Sequence, residues 1–245
     1  MKKRLDELLV LKGLAADLKK AQALILSGVI IVEEQRVDKA GALFPSSVAI
    51  RKKESCPYVS RGGLKLAAGL KHYQLEVGGL ICADIGASSG GFTDCLLQNG
   101  AAKVYAIDVA YGQLDWKIRQ DERVVVMERF NARNIKAGDL ADKLDLIVAD
   151  LSFISLTAIL PPLFQVFASH EKISFLALIK PQFELAKNEV GKGGVVGSEK
   201  LRQRAVDKIG EFCRQNHLRM HQPIPSPILG AKGNKEYLAR IVGQG

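Results

Sequence analysis

Leu80-Ile81-Cys82-Ala83-Asp84-Ile85-Gly86-Ala87-Ser88-Ser89-Gly90-Gly91-Phe92-Thr93 is the stretch that decides the fold. An apolar run ends in Asp84, a glycine-rich turn follows, and Phe92, Leu96 and Leu97 resume at helical spacing. The order is a strand, a ligand-type loop and a helix. Several readings of the turn compete. A dinucleotide fingerprint needs Gly-x-Gly-x-x-Gly, and Ser88 stands where the second glycine belongs, so close approach of a pyrophosphate is not provided for. Gly86-Ala87-Ser88-Ser89-Gly90 also satisfies Gly-x-Ser-x-Gly, the elbow of a hydrolase, for which Asp150 and His221 could be offered as partners. An elbow serine normally follows several strands, whereas Ser88 follows the first strand of its domain.

The third reading uses more of the residues. Asp84 lies two positions before the first glycine, and Asp108 ends the next strand, Val104-Tyr105-Ala106-Ile107. Together with the turn they resemble the S-adenosylmethionine site of doubly wound methyltransferases. Backbone N–H groups around Gly86 to Gly91 can take the methionine carboxylate, and Asp108 can accept both ribose hydroxyls. The resemblance implies cofactor contacts from Asp84, Gly86, Ala87, Ser88, Gly90, Gly91, Phe92, Thr93 and Asp108, with Asn131 or Arg133 at the adenine end. Two carboxylates that merely cap turns beside helices are the weaker reading of this spacing.

The 245 residues, 47% hydrophobic, suffice for a full core and a small extra domain. A net charge of +9 favours a polyanionic partner. Cys56, Cys82, Cys95 and Cys213 are far apart, with neither Cys-x-x-Cys nor a neighbouring histidine, so they read as reduced thiols in a cytosol and no metal site is indicated. The amino terminus turns acidic at Asp6 and Glu7 before an apolar stretch forms, unlike a signal peptide. Leu151 to Ser169 imitates a membrane span, with 19 uncharged residues, but Pro161-Pro162 and several hydroxyls point to a buried loop and helix. A cytoplasmic location is expected.

Residues 1–55 read as a separate α+β module. Helical spacing over 4–12 and 17–27 is followed by β-type pieces at Val29 to Val32, around Val37, and at Ser47 to Ile50. With Arg4-Leu5-Asp6 at its start and the Ala21 to Ile30 pattern, this order resembles the α-L RNA-binding motif. Its expected RNA face would carry Arg4, Lys12, Lys19 and Lys20, point charges suited to phosphates. A solvated helical hairpin would carry similar charges. Arg51 to Pro57 reads as the linker to a second domain, 56–245.

That second domain alternates strands, at 80–85, 103–108, 123–127, 145–149 and 173–179, with helical segments. It then has a patterned helix from Ser198 and β-type runs at Met220 to Ile224 and Tyr237 to Val242. The expected fold is α/β, a doubly wound, Rossmann-like sheet of about seven strands with a small amino-terminal α+β domain. Lys65, Asp150, Lys180 and Glu236 stand at strand ends or beside glycine turns, where open α/β sheets place ligands. Each is expensive to bury alone, and two lysines can neutralise two carboxylates.

Ser60 to Leu66, Asp84 to Thr93, Asp150 to Leu156, Ile179 to Glu184 and Gly233 to Tyr237 resemble the corresponding motifs of the TlyA-type proteins, over nearly the whole chain. That family, often labelled hemolysin A, includes ribosomal RNA 2′-O-methyltransferases with a Lys-Asp-Lys-Glu tetrad like that of the FtsJ-type enzymes. The resemblance implies Lys65, Asp150, Lys180 and Glu236 as the tetrad, Lys180 as base with Lys65 the next candidate, and Arg61 on the RNA side. It implies S-adenosylmethionine as cofactor and ribosomal RNA or ribosomal subunits, 16S and/or 23S with cytidine as target, as substrate. The chain departs from the family at Gly193 to Ser198, which lacks an expected Arg-Asp pair. A membrane-active hemolysin and a catalytically degenerate RNA-binding protein are the competing classes; the missing secretion signal opposes the first and the intact tetrad the second.

Overall fold

The structure, a computed structural model, describes residues 2–53, 56–136, 138–167 and 174–243. It divides into two units, Met1–Cys56 and Pro57–Gly245.

In the first unit, α1 (Leu5–Leu11) and α2 (Leu18–Leu26) form a hairpin whose Leu5, Leu8, Leu9, Ala21 and Ile25 pack with Ile30, Val32 and Val48. Asp17 caps α2 by accepting the Lys20 amide at 2.7 Å. Three sequence expectations are corrected here. Lys2–Arg4 is a strand, β1, ahead of the first helix, and pairs antiparallel with β4 (Leu43–Pro45). The piece around Val37 is instead β3 (Gln35–Arg36), joined to β2 (Ile30–Val32) by Glu33 and Glu34, both left-handed at φ 46° and 65°. Those angles make a two-residue turn whose twist matches the hairpin, without the usual asparagine or glycine. Finally β5 (Ile50–Lys52) pairs with β2 and absorbs Arg51 and Lys52 from the expected linker, whose Glu54 and Ser55 lie outside the described residues.

The second unit opens with α3 (Gly62–His72), then β6 (Ile81–Ile85), α4 (Gly91–Gln98), β7 (Lys103–Ile107), α5 (Trp116–Arg119), β8 (Val124–Met127), β9 (Leu146–Ala149) and α6 (Leu160–Phe167). There follow β10 (Ser174–Ile179), α7 (Pro181–Glu184), α8 (Glu199–Gln215), β11 (Leu218–Met220), β12 (Ile224–Pro225) and β13 (Tyr237–Gly243). The sheet order is β11-β13-β10-β9-β6-β7-β8, with β12 paired to β13. Strands β6 to β10 are parallel where paired, and β13 inserts antiparallel beside β10. The eight strands therefore make a mixed, Rossmann-like sheet. Ile173, an expected strand residue, lies outside the described residues.

The period of two along each strand separates two cores. Ile85, Ile107, Ile147, Phe175 and Ile241 pack on one face; Cys82, Val104, Val148, Leu176 and Leu238 pack on the other. Burial pushes the Cys82 thiol up to about 12 and the Cys95 and Cys213 thiols up to about 11, so they are protonated packing groups. The Leu151 to Ser169 segment is not wholly buried: Phe153 is 91% exposed, while Pro161 and Pro162 sit in the first turn of α6, where no intrahelical N–H is needed. Ala168 and Ser169 lie outside the described residues.

Candidate active site

The chain reverses its winding between β6 and β9: the strands after β6 build one way to β7 and β8, those after β9 the other way to β10. The carboxyl ends of β6 and β9 therefore flank the crevice in which open α/β sheets bind ligands. Gly86 leaves β6 at φ +86°, and a Cβ there would stand 3.0 Å from the Asp150 carbonyl oxygen, so the loop passes against the end of β9 only as glycine. Ser88 is also left-handed, at φ 48°. It donates its amide to Asp108 Oδ2 at 2.8 Å, while Ala110 donates to Asp108 Oδ1 at 2.8 Å.

The four ionisable residues come from four separate elements. Lys65 is on α3, Asp150 follows β9, Lys180 follows β10, and Glu236 precedes β13. Antiparallel pairing of Ile179 with Tyr237 brings Lys180 and Glu236 to one end of the sheet. Lys65 Nζ donates to Glu236 Oε2 at 2.6 Å and lies 3.7 Å from Asp150 Oδ2. Lys180 Nζ lies 2.6 Å from Asp150 Oδ1, off the line of a hydrogen bond, and directs its hydrogen bond to Ser152 Oγ at 2.9 Å. Charges thus alternate along Glu236, Lys65, Asp150 and Lys180, which offsets the cost of burying Lys65, Lys180 and Glu236 at 8%, 8% and 3% exposure. Gly230 closes over the end of the line; a Cβ there would collide with the Glu236 carboxylate.

Two cavities share Gly86, Ser88, Asp150 and Ser152 as a common wall. The smaller, about 300 Å³, holds Lys65, Lys180, Asp150 and Arg61, and is also lined by Ala87, Gly91 and Phe92. The larger, about 530 Å³, is lined by Asp108 and Asn131 between apolar walls that include Ile107, Phe130 and Ile159. A carboxylate beside an apolar slot suits a nucleoside, with Asp108 at the sugar and the slot around the base. Asn131 also fixes its own turn, accepting the Arg133 amide at 3.1 Å.

Not every residue expected at the cofactor reaches a cavity. Asp84, Gly90 and Thr93 lie beneath the loop: Asp84 is fully buried, accepts the Thr93 hydroxyl at 2.7 Å, and leaves Oδ1 without a partner. Burial foremost, with the nearby Asp150 and Asp108 charges, pushes its carboxyl up to about 7 against the Thr93 hydrogen bond. These residues support the loop from below and line neither of the two cavities. The hydrolase arrangement is absent, since the Ser88 hydroxyl faces Gln113 at 3.4 Å and His221 packs against the Tyr73 ring.

On the first unit, Arg4 is bound in a fork to Asp6, at 3.0 and 2.7 Å, and the guanidinium holds that carboxyl well below the usual range. Gln22 donates to the same carboxylate, so the half-exposed Arg4 ties the strand to the hairpin with its guanidinium already engaged by Asp6. Lys12, Lys19 and Lys20 are exposed, the last two in the first turn of α2, where the helix dipole disfavours cations. Sequence reasoning assigned no role to Ser152, Phe153 or Glu184, although all three fall inside motifs it singled out. Phe153 has φ +65° and packs at a tilt against Phe183, with ring centroids 5.2 Å apart.

The FtsJ-like methyltransferase family matches residues 58–241. The YqxC protein of Bacillus subtilis, labelled an rRNA methyltransferase, is 43% identical over 98% of this chain and 85% of its own. The 16S/23S rRNA (cytidine-2′-O)-methyltransferase TlyA of Mycobacterium tuberculosis is 41% identical over 96% of this chain and 87% of its own. A crystal structure of a hemolysin-labelled protein from Lactococcus lactis superposes with a TM-score of 0.75 at 46% identity, covering 78% of this chain and 91% of that one. Family match, whole-length relatives and sheet topology agree with the crevice described above: this chain belongs to the FtsJ-like methyltransferases.

Proposed function

We propose that the protein transfers a methyl group from S-adenosylmethionine to the 2′-hydroxyl of a ribose in ribosomal RNA, with cytidine as the target nucleoside. The observation that carries this reading is the alternating line of Lys65, Asp150, Lys180 and Glu236 beside a nucleoside-sized cavity, with Asp150 and Ser152 in the wall between them. The names of the B. subtilis and M. tuberculosis relatives support ribosomal RNA as the acceptor. S-adenosylmethionine supplies an electrophilic methyl group when bound. Asp108 would accept its ribose hydroxyls, and amides of the Gly86 to Gly91 loop would hold its carboxylate.

A ribose hydroxyl is a poor acid, so its oxygen must be aligned and its proton removed or shared. Lys180 takes that proton, held in direction by Ser152 and Asp150. Lys65, fixed by Glu236, steers the hydroxyl oxygen. Phe153 presents a ring face for a base withdrawn from its stack, and Arg61 and the exposed lysines of the first unit contact phosphates. A ribosomal acceptor supports a cytoplasmic location.

The hemolysin label of the L. lactis structure raises membrane activity as the other reading; among the described residues no helix is long and apolar enough to cross a membrane. Transfer of labelled methyl groups to purified, unmodified ribosomal subunits, followed by mapping of ribose methylation, tests the proposal. Methylation at a cytidine 2′-oxygen is expected. No incorporation into either subunit, with cofactor bound, would overturn it.

A further inference from the structure

Behind the candidate active site, segments 150–156 and 180–184 run side by side and are joined at three levels. At the first, Lys180 meets Asp150 and Ser152. At the second, the Phe153 and Phe183 rings pack together. At the third, buried Glu184 accepts the Leu156 amide at Oε1, 2.8 Å away, and the Ser155 hydroxyl at Oε2. Lys208 on α8 braces this last level, donating to the Glu184 carbonyl at 2.7 Å and standing 3.5 Å from Oε2. The side chain of Glu184 is 1% exposed and lines neither of the two cavities of the site.

A left-handed backbone strains a bulky aromatic, and Phe153 keeps it at φ +65° in the middle of a loop bound at both ends. If the Glu184 end is released, the loop can relax, and the relaxation reaches Ser152 and Asp150 directly. We infer that Glu184 is a positioning residue for methyl transfer: it fixes the 150–156 loop, and through it the direction in which Asp150 and Ser152 hold Lys180. The inference rests on the function proposed above, but the geometry it claims can be measured without activity.

The test uses the full chain with Glu184→Ala, Glu184→Gln and Ser155→Ala. In the unliganded protein, Glu184→Ala should speed hydrogen exchange at the Leu156 amide at least tenfold, with β10 still protected. In single-turnover transfer to ribosomal subunits, its rate at saturating cofactor and RNA should fall roughly ten- to a hundredfold, with the half-saturating RNA concentration within about threefold. Glu184→Gln keeps an oxygen for the Leu156 amide and should stay within about threefold of the parent rate. A folded Glu184→Ala protein with the parent rate, or a loss confined to half-saturation, would overturn the inference. If Glu184→Ala does not fold, Ser155→Ala removes only the hydroxyl strap; a threefold or greater loss of rate supports the inference and the parent rate overturns it. Should the parent protein methylate no ribosomal RNA, the proposed function fails, while unchanged Leu156 exchange in Glu184→Ala would still sink the clamp.

Discussion

Lys65 and Lys180 approach the same carboxylate from its two oxygens, Lys65 at 3.7 Å from Asp150 Oδ2 and Lys180 at 2.6 Å from Oδ1. The two ammonium groups are not equivalent. Lys65 gives its short hydrogen bond to buried Glu236, a charged acceptor, whereas that of Lys180 goes to the neutral Ser152 hydroxyl. Lys65 is thus held between two carboxylates, whereas Lys180 is held by one carboxylate and a hydroxyl.

Asp108 should govern cofactor affinity. Its two oxygens already accept the Ser88 and Ala110 amides, which fixes the plane of the carboxylate while leaving further lone pairs toward the larger cavity. Asp108→Ala removes an acceptor for two ribose hydroxyls, and each hydrogen bond to a charged group contributes about 1.5–3 kcal/mol. We expect S-adenosylmethionine affinity to fall by one to two orders of magnitude, by a rough count of those bonds. Calorimetric titration giving the parent affinity would remove Asp108 from the site.

Much of this site was legible because its residues stand at sequence landmarks. Asp84, Asp108, Asp150 and Lys180 each follow an apolar run, and a parallel sheet places such positions at one edge. Depth was not legible. Whether Asp84 faced a ligand or the core depended on the helix across from it, which supplies Thr93. The role of Arg4 was equally hidden, because an exposed cation and one forked to Asp6 look alike in sequence. Strands β1 and β4 were missed because three-residue strands carry too little alternation to register, and their pairing spans about 40 residues of chain. Glu184 sat in a recognised motif, but its partners are 28 and 29 positions away.

The lysines of the first unit should act through salt-dependent binding. Lys19 and Lys20 oppose the dipole of α2 and, with Lys12, are exposed. Replacing all three with glutamine should leave cofactor affinity unchanged and weaken ribosomal binding, with a shallower dependence of log K on log salt by roughly one unit per lost phosphate contact. An unaltered salt slope would show that these lysines face solvent only.

Phe153 should matter for the acceptor and not for the fold. The side chain is 91% exposed, so Phe153→Ala removes little buried surface and should change the melting temperature by only a few degrees. Base stacking on an aromatic ring contributes about 1–3 kcal/mol, so transfer to RNA should slow by roughly five- to a hundredfold. Equal transfer rates for Phe153→Ala and the parent would refute the stacking role.

Asp84 gives the second unit a pH dependence of definite sign. Its carboxyl titrates at about 7 in the folded chain against an ordinary value of 3.8. Between those values the unfolded chain has lost the proton that the folded chain keeps, so this residue makes stability fall as pH rises from about 4 to about 7, and level off above. Three pKa units correspond to a change on the order of 4 kcal/mol. Asp84→Asn should abolish that part of the profile, seen as a gain over the parent that grows from pH 4.5 to 7.5 in denaturant unfolding. A difference independent of pH would mean that Asp84 is ionised in the folded protein.

Lys180 offers the sharpest test of the chemistry. Lys180→Ala should leave cofactor and RNA affinity near the parent values and reduce single-turnover methylation by roughly two to four orders of magnitude, the usual contribution of a positioned acid or base. The alanine protein also leaves Asp150 Oδ1 without its ammonium, so stability must be measured alongside, and Lys65 remains as a counter-charge at 3.7 Å from Oδ2. Lys180→Arg decides between base and brace. A guanidinium can pair with Asp150 and donate to Ser152, which would satisfy a purely structural need, but it cannot give up its proton at any workable pH. If Lys180 is the base, arginine should restore stability toward the parent while turnover stays within about tenfold of the alanine protein. Substantial methylation by Lys180→Arg would show that the amine only braces Asp150, and would transfer the role of base to Lys65, the other ammonium at that carboxylate.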